Sequence, residues 1–157
     1  WKDENIHFRI IGWGEPLQSK LQKMIADNNL GKVNLTTVFL EPDELRKTIA
    51  SAHVMLGQFS DHPRPGRTLH NKHIEALALG LPLITRDSPS NRELLVDGAN
   101  CLFVSSADPQ AIAESILRLK AGTTLRDKIA SGARATYKRK ITSDILAGQV
   151  ARIISGN

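Results

Sequence analysis

A single cysteine, Cys101, stands among 157 residues, so no disulfide can form within the chain. It sits in the apolar run CLFV, where a buried thiol in a reducing, cytoplasmic setting is the expectation. No apolar run approaches the roughly 18 residues that a membrane-crossing helix needs. The opening WKDENIHF lacks the basic-then-apolar order of an export signal. Glycine and proline, at 11 and 7, form no low-complexity tract, and no internal repeat is visible. These absences exclude a disulfide scaffold, a membrane span and a disordered chain, and leave a globular domain.

The 41% of hydrophobic residues suits one compact domain with a real core, and a second full domain does not fit. Net charge is +5, and the positive residues concentrate in two stretches, 62–72 and 118–140. In the later stretch they are dispersed among Ala, Gly and Thr, as on a solvated helix face, with a phosphate or peripheral membrane contact as the alternative. That alternative would put the protein at the inner face of a membrane. No nucleic-acid partner is expected.

Apolar runs bounded by turn signals alternate with helical patterns. Residues 6–11 (IHFRII) read as a strand ended by Gly12-Trp13-Gly14, and residues 16–30 as a helix with Leu17, Leu21, Met24 and Ile25 on one face. Residues 32–40 read as the next strand, 42–52 as a helix opened by Pro-Asp, and 53–59 as a third strand. After the polar loop SDHPRPGRT comes the helical LHNKHIEALALG, closed by Gly80, then the buried strand LPLIT. A short helix over 90–95, a strand over 101–104 and helices over 108–119 and 124–140 follow. Residues 141–154 place Ile141, Ile145, Leu146, Val150, Ile153 and Ile154 on a face that must bury against something, such as another domain. The repeated units predict an α/β fold with a Rossmann-like, doubly wound parallel sheet and ligands at the carboxyl ends of its strands.

The most informative segment is Gly66-Arg67-Thr68-Leu69-His70-Asn71-Lys72-His73-Ile74-Glu75. A glycine-bearing loop entering a helix presents unpaired N–H groups and the positive end of the helix dipole, which favour a phosphate or diphosphate. Arg67 and Lys72 add the same sign of field. Glu75 falls about one turn beyond Asn71 and Lys72, where a carboxylate can accept hydrogen bonds from ribose hydroxyls; by spacing alone an ordinary solvated carboxylate fits as well. His62, His70 and His73 lack familiar metal-ligand spacing and read as surface histidines. Gly12-Trp13-Gly14 lacks the third glycine of a dinucleotide fingerprint and reads as a tight turn. Glu93 reads as a helix-start carboxylate or a ligand.

The run NKHIEALALGLPLITRDSPSNRELLVDGANCLFVSSADPQAIAESILRL resembles the C-terminal domain of the group 1 glycosyltransferases, retaining enzymes of the GT-B fold. Their pattern reads K-x-x-E-A-x-A-x-G-x-P-V-I, then E-L-V, D-G-x-N-G-x-L-V and D-P-x-x-L-A-x-A-I. Upstream, HFRIIGWGE and VNLTTVFLEPDELRKTIASAHVML resemble the family's G-x-G, V-x-F-x-G, D-E-L and S-A-D-V-x-V steps, so the likeness covers about residues 6–120. It implies a donor site at Arg67, Thr68, Leu69, Asn71, Lys72 and Glu75, with Gly12, Gly14 and Val38 as weaker candidates and no catalytic residue assigned. The family binds its donor with two glutamates eight positions apart. The second matches Glu75, in the ribose-binding role, while the first falls at Arg67, which puts the donor sugar in doubt. The positions of Asn71 and Lys72 match those whose amides contact the donor phosphates.

The implied activity is retaining transfer from a UDP-sugar or GDP-sugar to a glycan, lipid or other acceptor, without a metal or other cofactor. A sugar-nucleotide epimerase, a phosphorylase half and a degenerate nucleotide-binding domain are the alternatives. The family's C-terminal domain opens with a further strand and helix that carry an Arg-Lys diphosphate clamp, and an acceptor-binding N-terminal domain precedes it. Both are expected in a longer protein of which residues 1–157 are the donor-binding part, so the isolated chain is expected not to catalyse.

Overall fold

The computed structural model describes residues 5–63 and 67–156. The chain divides into two compact units, Trp1–Arg46 and Lys47–Asn157. In the first, strand β1 (Phe8–Ile11) pairs in parallel with β2 (Val33–Thr36), Phe8 opposite Val33 and Ile11 opposite Thr36. Helix α1 (Leu17–Asp27) connects them, with Leu21 and Ile25 half-buried and Leu17 and Met24 exposed. It stops three residues short of the span expected from the apolar pattern. The Asn28 side chain bonds back to the Met24 carbonyl at 2.9 Å and Asn29 turns left-handed (φ 51°), so the backbone leaves the helix there.

Helix α2 (Pro42–Ala50) crosses the division between the units and carries Asp43 and Glu44 in its first turn, where the helix dipole favours acids. The second unit holds three parallel strands in the order β3 (Met55–Leu56), β4 (Leu83–Arg86), β5 (Leu102–Val104). Among the described residues five strands therefore form two sheets, and every pairing is parallel. β3 is shorter than the expected 53–59, but the chain stays extended beside β4: the Gly57 amide donates to Ile84 at 2.8 Å, and Arg86 donates to Gln58 at 3.0 Å.

All four residues of β4 are buried, and their alternation sorts the core. Leu83 joins Ala76 and Leu77 of α3 (Asn71–Leu79), Cys101, and Ala133 of α6 (Thr123–Lys140). Ile84 joins Leu102 and Val104 of β5, Leu119 of α5 (Pro109–Ala121) and Ile129 of α6. Each such leucine or isoleucine contributes about 1.5–3 kcal/mol by leaving water.

Gly80 closes α3 at φ 68°, and the following Leu81 amide reaches the Ala76 carbonyl at 2.8 Å, the double return that a left-handed cap allows. α4 is a single turn, Pro89–Arg92, capped by Ser88. It starts earlier and ends sooner than the expected 90–95, so Glu93 sits at its C-cap and not at a helix start. The last helix, α7 (Ser143–Ser155), leaves Leu146, Val150, Ile153 and Ile154 exposed, whereas Ile141 just before it packs on the core.

Candidate functional site

The junction from β3 to α3 brings the main sequence candidates together at the carboxyl edge of the second unit's sheet. α3 begins at Asn71, two residues later than the apolar pattern from Leu69 implies, because His70 is extended (φ −81°, ψ 145°) and serves as N-cap. Asn71 and Lys72 thus occupy the first helical positions, whose amides have no partner within the helix. No side chain caps this start. The Lys72 ammonium lies 3.5 Å from the Gly57 carbonyl, which holds its charge over the end of β3.

Glu75 follows one turn later and is exposed. Arg67 and Thr68 are exposed and Leu69 is half-buried. The Thr68 carbonyl accepts a hydrogen bond from Ser90 of α4 at 3.4 Å, which ties the loop to the next strand-helix turn. Gly66, the glycine of the sequence motif, lies outside the described residues.

A buried polar cluster that no sequence motif pointed to supports this junction. His73, read from the sequence as a surface histidine, is fully buried: it falls on the inner face of α3, and its Nε2 lies 3.2 Å from the Thr85 hydroxyl. Burial, aided by the His70 and Lys72 charges, pushes its pKa down to about 4, and the neighbouring Asn91 opposes the shift. Gly57 makes room for the pair, since a methyl group there would come within 2.5 Å of the Thr85 hydroxyl and 2.7 Å of His73 Nε2. Asn91, also buried, donates to the Arg86 carbonyl at 2.9 Å. His70 is half-buried with its ring edge-on to His73, 5.6 Å between centroids, while His62 is exposed.

The first unit holds the weaker candidates. The Gly12 amide donates to the Thr36 carbonyl at 3.0 Å, continuing the β1–β2 ladder. Gly14 adopts φ +119°, a conformation that favours glycine, with open space around it. Val38 is exposed beside Phe39, whose ring meets Trp13 edge-on at 5.9 Å. Cys101 is buried as expected; burial first, then Asp97 and Asp87, push its pKa up to about 12, which leaves it an inert thiol. Among the described residues no helix is long and apolar enough to cross a membrane, and no three His, Cys, Asp or Glu side chains gather as metal ligands would.

An uncapped helix start flanked by cations, at the carboxyl edge of a parallel sheet, is the arrangement by which α/β proteins hold phosphate groups. The family model for glycosyl transferases group 1 matches residues 1–121, and the chain belongs to that family. It is 25% identical over 148 residues, 94% of its length, to the amylovoran biosynthesis glycosyltransferase AmsK of Erwinia amylovora, and covers 36% of that protein. It is 31% identical over 81 residues to the phosphatidyl-myo-inositol mannosyltransferase of Mycobacterium leprae, a match over 51% of this chain and 21% of the other. Anabaena HepE, solved in complex with UDP, superposes with a TM-score of 0.84 at 19% identity, over 99% of this chain and 42% of HepE. That likeness establishes the fold as one half of a GT-B architecture. The chain spans well under half the length of each of these relatives.

Proposed function

We propose that the chain is the C-terminal, donor-binding domain of a longer retaining glycosyltransferase that transfers a sugar from a nucleoside diphosphate without a bound metal. The observation that carries this reading is the open start of α3, with Asn71 and Lys72 at its first positions and Glu75 one turn on. The amides and Lys72 take the diphosphate and stabilise the charge that develops on it as the glycosidic bond to the sugar breaks. Glu75 takes the ribose hydroxyls. Arg67, Thr68 and Leu69 line the approach to the helix. A UDP-sugar is favoured over a GDP-sugar, because HepE is also solved with UDP-glucose. The acceptor is held by an N-terminal domain of the same protein, on the cytoplasmic side of a membrane or in the cytoplasm.

In the full-length protein, transfer from one of the common UDP-sugars is the expected result. Neither transfer nor hydrolysis from any of them would refute the reading. Glu75→Ala should weaken UDP binding by about 1–3 kcal/mol in calorimetry through the lost ribose hydrogen bonds, and an unchanged affinity would remove Glu75 from the site. A degenerate, non-catalytic site is the second reading, favoured by Arg67 at the position of the family's first glutamate. Arg67→Glu separates the two: an adapted site loses donor affinity, and a degenerate one is indifferent.

A further inference from the structure

At the carboxyl end of β4 stands an arginine that nothing in the donor reading uses. Arg86 is only 8% exposed. One of its terminal nitrogens donates to the Ser60 carbonyl, while its Nε–H is buried with no partner. No carboxylate among the described residues makes an ion pair with it. Asp87, next in sequence, is engaged by both Arg92 Nε and a terminal nitrogen of Arg92 at 2.6 Å, and Asp61, one residue beyond Ser60, is exposed and outside ion-pair distance. Residues 64–66, Arg-Pro-Gly, contain no acid.

A buried guanidinium that keeps its charge needs an anion beside it, because desolvation without a counter-ion is among the costliest states a side chain can adopt. A neutral carbonyl satisfies one hydrogen of the five and none of the charge. Alternation along β4 places Arg86 with Ile84, on the side of the sheet that faces α5, whereas Thr85 faces α3 through His73. Along this edge the Ser60 carbonyl accepts from Arg86, the Ala107 amide bonds the Phe59 carbonyl at 2.9 Å, and Asp108, next after Ala107, has its carboxylate engaged by the Ala111 amide at 2.9 Å. The orphaned Nε–H, the lack of an ion-paired carboxylate among the described residues and the position at the strand's carboxyl end coincide at one residue.

We propose that Arg86 holds a phosphate-class oxyanion at the carboxyl edge of β4, on the α5 side of the sheet. A planar fork with a free Nε–H and a second terminal nitrogen matches two oxygens of such a group. The site does not depend on the chain being a transferase, and the oxyanion is either free phosphate or a phosphate carried by a larger molecule such as a nucleotide.

The test follows the Arg86 Nε–Hε resonance and the melting temperature while inorganic phosphate is added, with sodium chloride at matched ionic strength as control. Phosphate should shift that resonance saturably and raise the melting temperature beyond the chloride effect, and Arg86→Met should reduce the thermal response to what the α3 start alone contributes. Phosphate doing no more than chloride to the wild-type resonance overturns the proposal, whether or not Arg86→Met folds. An Arg86→Met protein that keeps the full thermal response overturns it too. UDP then separates the sources. Displacement of phosphate by UDP in the wild type, lost in Glu75→Ala, assigns the oxyanion to the nucleotide; phosphate binding indifferent to UDP assigns it to free phosphate and keeps the Arg86 site independent of the donor reading.

Discussion

Two helices of the second unit start after parallel strands of the same sheet, and they start differently. α5 opens on Asp108-Pro109: the Asp108 carboxylate accepts the Ala111 amide at 2.9 Å, and proline fills the first helical position, where no N–H is needed. The Asp108 carboxylate answers one orphan donor and the dipole, and proline removes another donor. α3 opens on His70-Asn71 with no side-chain cap, a lysine in the first turn and an exposed arginine at position 67. The same topological position closes on itself in α5 and remains open to an external anion in α3. Motifs show which stretch is a helix start, and only the capping chemistry shows whether that start is available.

The largest expected effect comes from removing what supports the open end. Gly57→Ala would drive a methyl group to within 2.5–2.7 Å of Thr85 and His73, short side chains in a buried cluster with little room to yield. We expect a loss of about 3 kcal/mol, the upper part of the overpacking range, together with weaker nucleotide binding. Urea unfolding of the variant measures the first. A loss under about 0.5 kcal/mol, the ordinary scatter of surface substitutions, would show that the cluster does not hold α3 in place.

The next effect is a pH dependence at the α3 end. The unfolded His73 imidazole titrates near 6.5 and the folded one at about 4. Between these values the unfolded chain binds a proton that the folded chain refuses, so this contribution is complete above about 6.5 and declines as the pH falls toward 4. At pH 5 the linkage amounts to about 2 kcal/mol of lost stability. Urea midpoints at pH 7 and pH 5 check it, with His73→Gln expected to flatten the slope. An equally steep slope in that variant would place the titrating group elsewhere.

His73 also marks the limit of what the sequence makes legible. Apolar spacing located α3, β4 and α5 to within a few residues, because the inner faces of these elements are built from Leu77, Leu83 and Leu119. The helix that carries Asn71, Lys72 and Glu75 is legible too, since these residues are read by spacing along it. His73 reads as a surface residue because a polar side chain among polar neighbours gives no sign of its face until the helix start is fixed at Asn71. Arg86 and Asn91 were illegible for a related reason: a strand's last residue and a one-turn helix carry no periodicity of their own, and their partners, Ser60 and Thr85, lie 26 and 6 residues away in sequence. Glu93 moved from helix start to C-cap because Ser88, with proline behind it, nucleates α4 earlier than the polar run SPSN alone indicates.

Exchanging the two ends' capping chemistry has the smallest effect. Asp108→Ala removes a side-chain cap at α5 and should cost about 1 kcal/mol of stability while leaving UDP titrations unchanged, since that start is closed to ligands. His70→Asp installs an acid at the N-cap of α3, where the extended backbone suits a capping carboxylate. Its effect on the melting temperature should be small, because the new cap offsets the lost contact between the His70 and His73 rings. Its effect on binding should not be small: a carboxylate that occupies the free amides and opposes the incoming phosphate removes about 1–2 kcal/mol of dipole stabilisation, close to a tenfold loss of affinity. Calorimetric titration of both variants with UDP, alongside thermal melts, separates the outcomes. Weaker UDP binding in Asp108→Ala, or unchanged binding in His70→Asp, would mean that the two helix starts do not differ in the way their caps indicate.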